Sequence, residues 1–268
     1  MNNLAGSYRN LGRFPEALEL GRETVTLAKA KLGPKDRLTL DSMDTLANIY
    51  HAAGQPGEAV KIYEEALPLM KAKLGPNHGI TLGAMNGLAD SYHAVDRHAD
   101  ALKLREEVLA LRKAKRGPDD PEALAAMDSL ARHLANWPDP KLRNATRALE
   151  LAKELVAAAP QLGHFWNTLG VAHYRNGDYK AAVAALKKSM ELRQGGDSFD
   201  WFFLAMAHWQ LGDKDQARKW YDQAVNAMDK NPWDRNRPQF DTLRRFRAEA
   251  EELMKSDPGI RSPRRCAP

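Results

Sequence analysis

The sequence predicts an all-α fold, an α-α superhelical solenoid of about six helix-turn-helix units with a C-terminal capping helix. The first observation is a repeat. Met1, Met43, Met85 and Met127 lie 42 residues apart, and each opens a near-copy: Met1-Asn-Asn-Leu4-Ala5, Met43-Asp-Thr-Leu46-Ala47, Met85-Asn-Gly-Leu88-Ala89 and Met127-Asp-Ser-Leu130-Ala131. The second is a stop signal with the same step, Lys31-Leu32-Gly33-Pro34, Lys73-Leu74-Gly75-Pro76 and Lys115-Arg116-Gly117-Pro118. Glycine past a helix end takes the left-handed conformation, lysine in the last turn complements the helix dipole, and proline cannot continue the helix. The third is a shorter repeat: Trp166-x2-Leu169-Gly170, Tyr174, Gly177-Asp178-Tyr179 and Ala182 return 35 residues later as Trp201-x2-Leu204-Ala205, Trp209, Gly212-Asp213 and Ala217. A single hairpin cannot bury its apolar stripe, and stacking on the next hairpin does so.

Each element follows from spacing. In the second copy Leu40, Met43, Leu46, Ala47 and Tyr50 keep three-and-four spacing, Gly54-Gln-Pro56-Gly57 breaks it, and Ala59, Ile62, Tyr63, Ala66 and Leu69 resume it. That makes two helices per unit. Later copies are preceded by a helix start (Leu38-Thr-Leu40, Ile80-Thr-Leu82, Glu122-Ala-Leu124), whereas the first begins at Met1 with nothing before it. Solenoids need polar end units, so the expectation is a longer protein or a start at an internal Met, with self-association through the uncapped first unit. Asn136-Trp-Pro-Asp-Pro140 predicts a longer turn before a helix over about residues 141 to 158. The last helix puts Phe240, Leu243, Phe246, Ala250 and Leu253 on one face and Arg244, Arg245, Glu249, Glu251 and Glu252 off it. In the third copy Asp96 replaces the turn glycine, and Gly21 and Arg105 stand where a large apolar residue is expected, which predicts looser packing there.

Trp166-x2-Leu169-Gly170 with Ala182 resembles the tetratricopeptide repeat, whose signature is Trp-x2-Leu-Gly-x2-Tyr followed by Ala-x3-Phe. His173 stands where the signature has Tyr, and Leu186 where it has Phe. The 42-residue copies are similar to the kinesin-light-chain subtype, with its Asn-Asn-Leu-Ala core and extended second helix; Asn2-Asn3-Leu4-Ala5 matches directly. The resemblance implies kinesin-light-chain-like units over residues 1 to 136 and a Trp-rich second subtype over 137 to 232; the residue pattern adds a capping helix over 233 to 254, and composition a disordered tail over 255 to 268. It also implies that first helices line the concave face.

Composition excludes several classes. No apolar stretch approaches the ~20 residues of a membrane span, and no signal peptide opens the chain, so a cytoplasmic protein without membrane contact is the expectation. Residues 1 to 136 carry 18 Lys and Arg against 18 Asp and Glu, and the rest carry 22 against 17, with part of the excess in the tail. A nucleic-acid surface would need a concentrated basic stripe. The one cysteine, Cys266, allows no intrachain disulfide. No phosphate-binding loop, dinucleotide fingerprint, zinc-protease, EF-hand, nucleophile-elbow or kinase motif is present. The reading is therefore not an enzyme, with no cofactor and no metal. Equivalent histidines His51 and His93 read as polar lining, and His173 and His208 as packed side chains. Trp166 and Trp201 are expected in the core, with Trp209 and Trp220 as candidate half-exposed anchors. Asn144-Ala-Thr146 fits a glycosylation sequon by chance.

The function must then lie on the surface left over. Off the apolar stripe of each first helix stand Asn2 and Arg9; Asp44, Asn48 and His51; Asn86, Asp90 and His93; Asp128 and Arg132. Spacings of four and seven put each set on one helix face. The ladder offers donors and acceptors suited to the backbone of an extended peptide, so the expected partner is a protein or peptide bound in the concave groove. The competing reading is a C-terminal regulatory or substrate-recruiting fragment of a larger bacterial signalling enzyme, such as a serine/threonine protein kinase, by similarity to repeat arrays behind such domains.

Overall fold

The computed structural model describes residues 1–137, 139–230 and 238–255. Among them lie thirteen α-helices and no strand. The chain divides into two compact units, Met1–Ala126 and Met127–Pro268.

Unit 1 holds α1 (Asn2–Asn10), α2 (Phe14–Leu32), α3 (Arg37–Ala52), α4 (Pro56–Lys73), α5 (Gly79–Ala94) and α6 (His98–Arg116); α7 (Pro121–Asn136) straddles the boundary. The repeated sequence produces repeated helix ends. Gly33, Gly75 and Gly117 stop the second helices at φ 87°, 94° and 94°, and Gly12 and Gly54 make the turns inside the hairpins at 73° and 72°. Asp96 takes the equivalent turn at φ 60°, a conformation that costs an L-residue roughly 1 kcal/mol. The starts repeat too: the side chains of Asp36, His78 and Asp120 accept from the backbone N–H two residues on.

Gly21, Tyr63 and Arg105 are one repeat position, and none of them is loosely packed. A Cβ on Gly21 would meet Leu46 at 3.0 Å. Tyr63 is fully buried, with its ring tip so close to α5 that a Cβ on Gly87 would lie 2.2 Å from the hydroxyl. Arg105 is also buried, and its guanidinium pairs with Asp90. The neighbouring helix adjusts to each side chain, which is why the expected looseness does not arise.

Unit 2 contains α8 (Ala145–Ala158), α9 (Gly163–Arg175), α10 (Tyr179–Leu192), α11 (Ser198–Gln210), α12 (Lys214–Lys230) and α13 (Pro238–Lys255). A 3-10 turn, Pro140–Leu142, precedes α8. The helix expected from residue 141 begins instead at Ala145, because the Asn144 side chain accepts from Arg147 N–H at 3.0 Å and caps it. That is also the role of the apparent sequon. Gly170 explains its place in the signature: a Cβ there would sit 2.6 Å from Leu186 Cγ. Phe202, Phe203, Leu204, Met206 and Phe246 are buried, and Phe203 packs edge-on to both Tyr174 and Phe246. Asp200 is buried outright and closes a capping box with Asp197. Its carboxylate accepts from Asn167 Nδ2 at 2.8 Å and Ser189 Oγ at 3.1 Å and pairs with Arg193. Burial pushes the Asp200 carboxyl up despite these partners. The expected tail beyond residue 255 and the stretch 231–237 lie outside the described residues.

Trp166, Trp201 and Trp209 depart from the sequence expectation, whereas Trp220 agrees with it. Trp209 and Trp137 are buried, while Trp166, Trp201 and Trp220 are half-buried. Trp166 lies across the end of α8 and donates Nε1–H to Pro160 O at 2.7 Å. Lys214 Nζ stands 3.8 Å from the Trp209 ring centroid, covering the face that the sequence left open. The signature position fixes where the ring attaches, and the neighbouring helix decides whether it is covered.

Candidate partner-binding face

Successive first helices touch directly, α1 with α3 and α3 with α5 in unit 1, and α9 with α11 in unit 2. Second helices of unit 1 are bridged by long side chains instead, Lys29 to Glu65 and Lys71 to Glu107, each at 2.7 Å. Close first helices and splayed second helices make the first-helix side the inner face of unit 1.

Eight of the sequence-predicted residues lie on these helices of unit 1. Asn2 donates to Asp41 Oδ2 at 2.7 Å, tying α1 to α3. His51 Nδ1 lies 3.1 Å from Ser91 Oγ, tying α3 to α5. Asn48 Nδ2 donates to the Asp44 carbonyl at 3.0 Å and to its carboxylate at 3.2 Å. Asp90 is held by Arg105 from α6, and His93 Nδ1 lies 3.3 Å from His98 Nδ1. Arg9 bonds to Asn10. The Asn86 side chain makes no hydrogen bond among the described residues. The remaining two belong to unit 2: Arg132 Nε lies 3.1 Å from Asp128 Oδ2, and both side chains meet Thr168 Oγ1 of α9. The ladder is therefore partly an internal fastening, with groups to spare.

Asp44 Oδ1 and the Tyr63 hydroxyl are among the buried atoms of unit 1 that find no hydrogen-bond partner among the described residues. Burial pushes the Asp44 carboxyl up to about 6, and neighbouring Asp41 adds to the effect. Burial also pushes the ionisation of Tyr63 up, with Asp44 and Asp90 reinforcing it. Sequence reasoning missed Tyr63, Asp41, Ser91, Arg105 and Thr168. A signal for Tyr63 existed: the largest residue at its repeat position falls in the copy before the one carrying Gly87 in place of Thr45 and Ser129.

No described helix is long and apolar enough to cross a membrane. Among the described residues no three His, Cys, Asp or Glu side chains gather as metal ligands.

Stacked hairpins with close first helices, size-matched contacts and glycine stops define a helical repeat protein. The profile of the tetratricopeptide repeat matches residues 1–72, 80–135 and 165–230, and the chain belongs to that family. A putative kinesin light chain of Podosopora anserina with nearly identical repeats is 27% identical, over 72% of this chain and 92% of that one, with a TM-score of 0.64. BtubC (BKLC) from P. vanneervenii is 19% identical over 95% and 96% of the two chains, TM-score 0.60, and MamA is 16% identical over 70% and 93%, TM-score 0.51; both show the fold. No curated protein matches the sequence. Repeats of this family typically mediate protein-protein interactions and are generally non-catalytic scaffolds.

Proposed function

We propose that the chain is a non-enzymatic scaffold that holds an extended segment of a partner protein along the inner face of unit 1. One observation carries this reading: the Asn86 side chain has no hydrogen-bond partner among the described residues, while other polar side chains of the same ladder are fixed by bonds between helices, Asn2 to Asp41, His51 to Ser91 and Asp90 to Arg105. A carboxamide offers a donor and an acceptor together, as a peptide backbone requires. Neighbours that are already ordered lower the entropy cost of binding. Asp128 and Arg132 are a second candidate set on unit 2, proposed with the same chemistry.

The test is the double substitution Asn48→Ala with Asn86→Ala, compared with the parent chain by pull-down and quantitative mass spectrometry, with circular dichroism to verify the helices. Specifically captured proteins should fall by about tenfold, the loss expected for one or two net hydrogen bonds. Equal capture by folded double variant and parent would overturn the assignment of the groove.

A further inference from the structure

Unit 2 carries a corner where positive charge is poorly balanced. Arg143 from the turn before α8, Arg175 from the end of α9 and Arg245 from α13 converge on a single carboxylate, Glu249 of α13. Arg175 pairs with both Glu249 oxygens, and Arg143 Nη1 is 3.8 Å from Glu249 Oε1. The arginines also hold the end of α7: Arg245 Nη2 donates to Asn136 O at 2.9 Å and Arg143 Nε to Trp137 O at 2.8 Å. Three guanidiniums against one sheltered carboxylate leave two positive charges, only partly offset by the exposed Asp139, whose charge bears on Arg143, and by helix-end carbonyls.

The corner is sheltered rather than solvated. The Arg175 side chain is 6% exposed, Arg143 17% and Glu249 27%. Burial pushes Arg143 and Arg245 below the usual arginine range, and each is repelled further by the neighbouring guanidiniums. Donors remain unused. Arg175 Nε is buried without a hydrogen-bond partner among the described residues. The Tyr174 hydroxyl, close enough for Glu249, Arg175 and Arg143 to bear on its ionisation, bonds to no described residue.

We propose that this corner is a binding site for a doubly charged oxyanion of the phosphate class, gripped by Arg143, Arg175, Arg245 and the Tyr174 hydroxyl. Charge decides the class: a carboxylate would leave one positive charge uncompensated, whereas a phosphate or phosphomonoester, at about −1.5 to −2 near neutral pH, removes both. Guanidinium forks and a phenol donor match tetrahedral oxygens. The site is separate from the asparagine ladder, and either assignment can fail alone.

Isothermal titration of the full chain with inorganic phosphate, against chloride at matched ionic strength, tests it. The expected result is saturable one-to-one uptake, with acetate bound at least about tenfold more weakly because it carries half the charge. Arg143→Gln should weaken phosphate by about tenfold and Tyr174→Phe by a few-fold. Glu249→Gln should tighten it, because the competing carboxylate is gone; a merely structural cluster has no reason to respond in that direction. Circular dichroism in chloride establishes that each variant folds, and Tyr174→Phe leaves the ring in place should Arg143→Gln unfold. O-phosphoserine separates the two sources: uptake like that of phosphate assigns the site to phosphorylated side chains, and its exclusion assigns it to the free anion. Phosphate uptake no different from chloride, or unchanged in all three folded variants, would overturn the proposal.

Discussion

Units 1 and 2 share a hairpin topology and fasten it with different chemistry. Unit 1 packs alanine, leucine and methionine, and links its first helices through short polar bonds such as Asn2 to Asp41 and His51 to Ser91. Unit 2 packs Phe165, Phe202, Phe203, Trp209 and Phe246, and links its helices through buried or half-buried ionic groups, Asp200 with Arg193 and Glu249 with Arg175. A repeat therefore fixes where the backbones go and leaves the filling free, provided that large and small side chains face each other. Tyr63 over Gly87 and Leu186 against Gly170 are the same bargain made with different residues.

The contrast can be broken most severely in unit 2. Phe203→Ala should cost about 3–5 kcal/mol, because a buried aromatic between Tyr174 and Phe246 leaves a cavity that helices cannot close. Urea denaturation measures it, and a loss below about 1 kcal/mol would mean that the aromatic core is dispensable.

In unit 1 the largest effect should be electrostatic. The Asp44 carboxyl is raised to about 6 in the folded chain, so the folded state holds its proton more tightly than the unfolded one. Stability from this group is present at low pH and lost as pH rises from about 4 through 6. Asp44→Asn should accordingly stabilise by roughly 1–3 kcal/mol at pH 7.5 and change little at pH 4. A gain that does not depend on pH would show that burial of charge is not the cause.

Size matching is tested next. Gly87→Ala should cost about 1–3 kcal/mol, since the tyrosine tip must move. Tyr63→Phe should be neutral or stabilising by about 1 kcal/mol, because a buried hydroxyl without a partner disappears. Combined, the two should cost less than Gly87→Ala alone; strict additivity would show that the ring and the glycine do not compensate each other.

The smallest effects lie at the helix ends. Asp96→Gly should gain about 0.5–1 kcal/mol and Gly54→Asp lose as much, one relieving and the other creating a left-handed L-residue. His78→Asp, matching the Asp36 and Asp120 caps, should gain a few tenths to about 1 kcal/mol. Thermal midpoints resolve both, and a gain at neither position would mean that the third copy is no weaker than its neighbours.

Much of this was legible in the chain. The 42-residue step located the helices of unit 1, and its Gly-Pro stops act locally, within a few residues of where they are written. Leu4, Leu46, Leu88 and Leu130 occupy one repeat position and were equally legible as apolar. Only the fold leaves Leu4 half exposed and buries the others; within unit 1 the preceding second helices, α2 and α4, pack on the helices that carry Leu46 and Leu88. The candidate face was readable as a row of polar residues, but not which of them are consumed internally.

Periodicity and turn chemistry are properties of neighbours along the chain, so the sequence by itself determined the hairpins, their family and the face that carries Asn48, Asn86 and Asp90. The gathering of Arg143, Arg175, Arg245 and Glu249, separated by up to 106 residues, and the exchange of roles between Trp201 and Trp209 were decided by tertiary structure. Burial and charge balance depend on what packs against a side chain, and that partner comes from elsewhere in the chain.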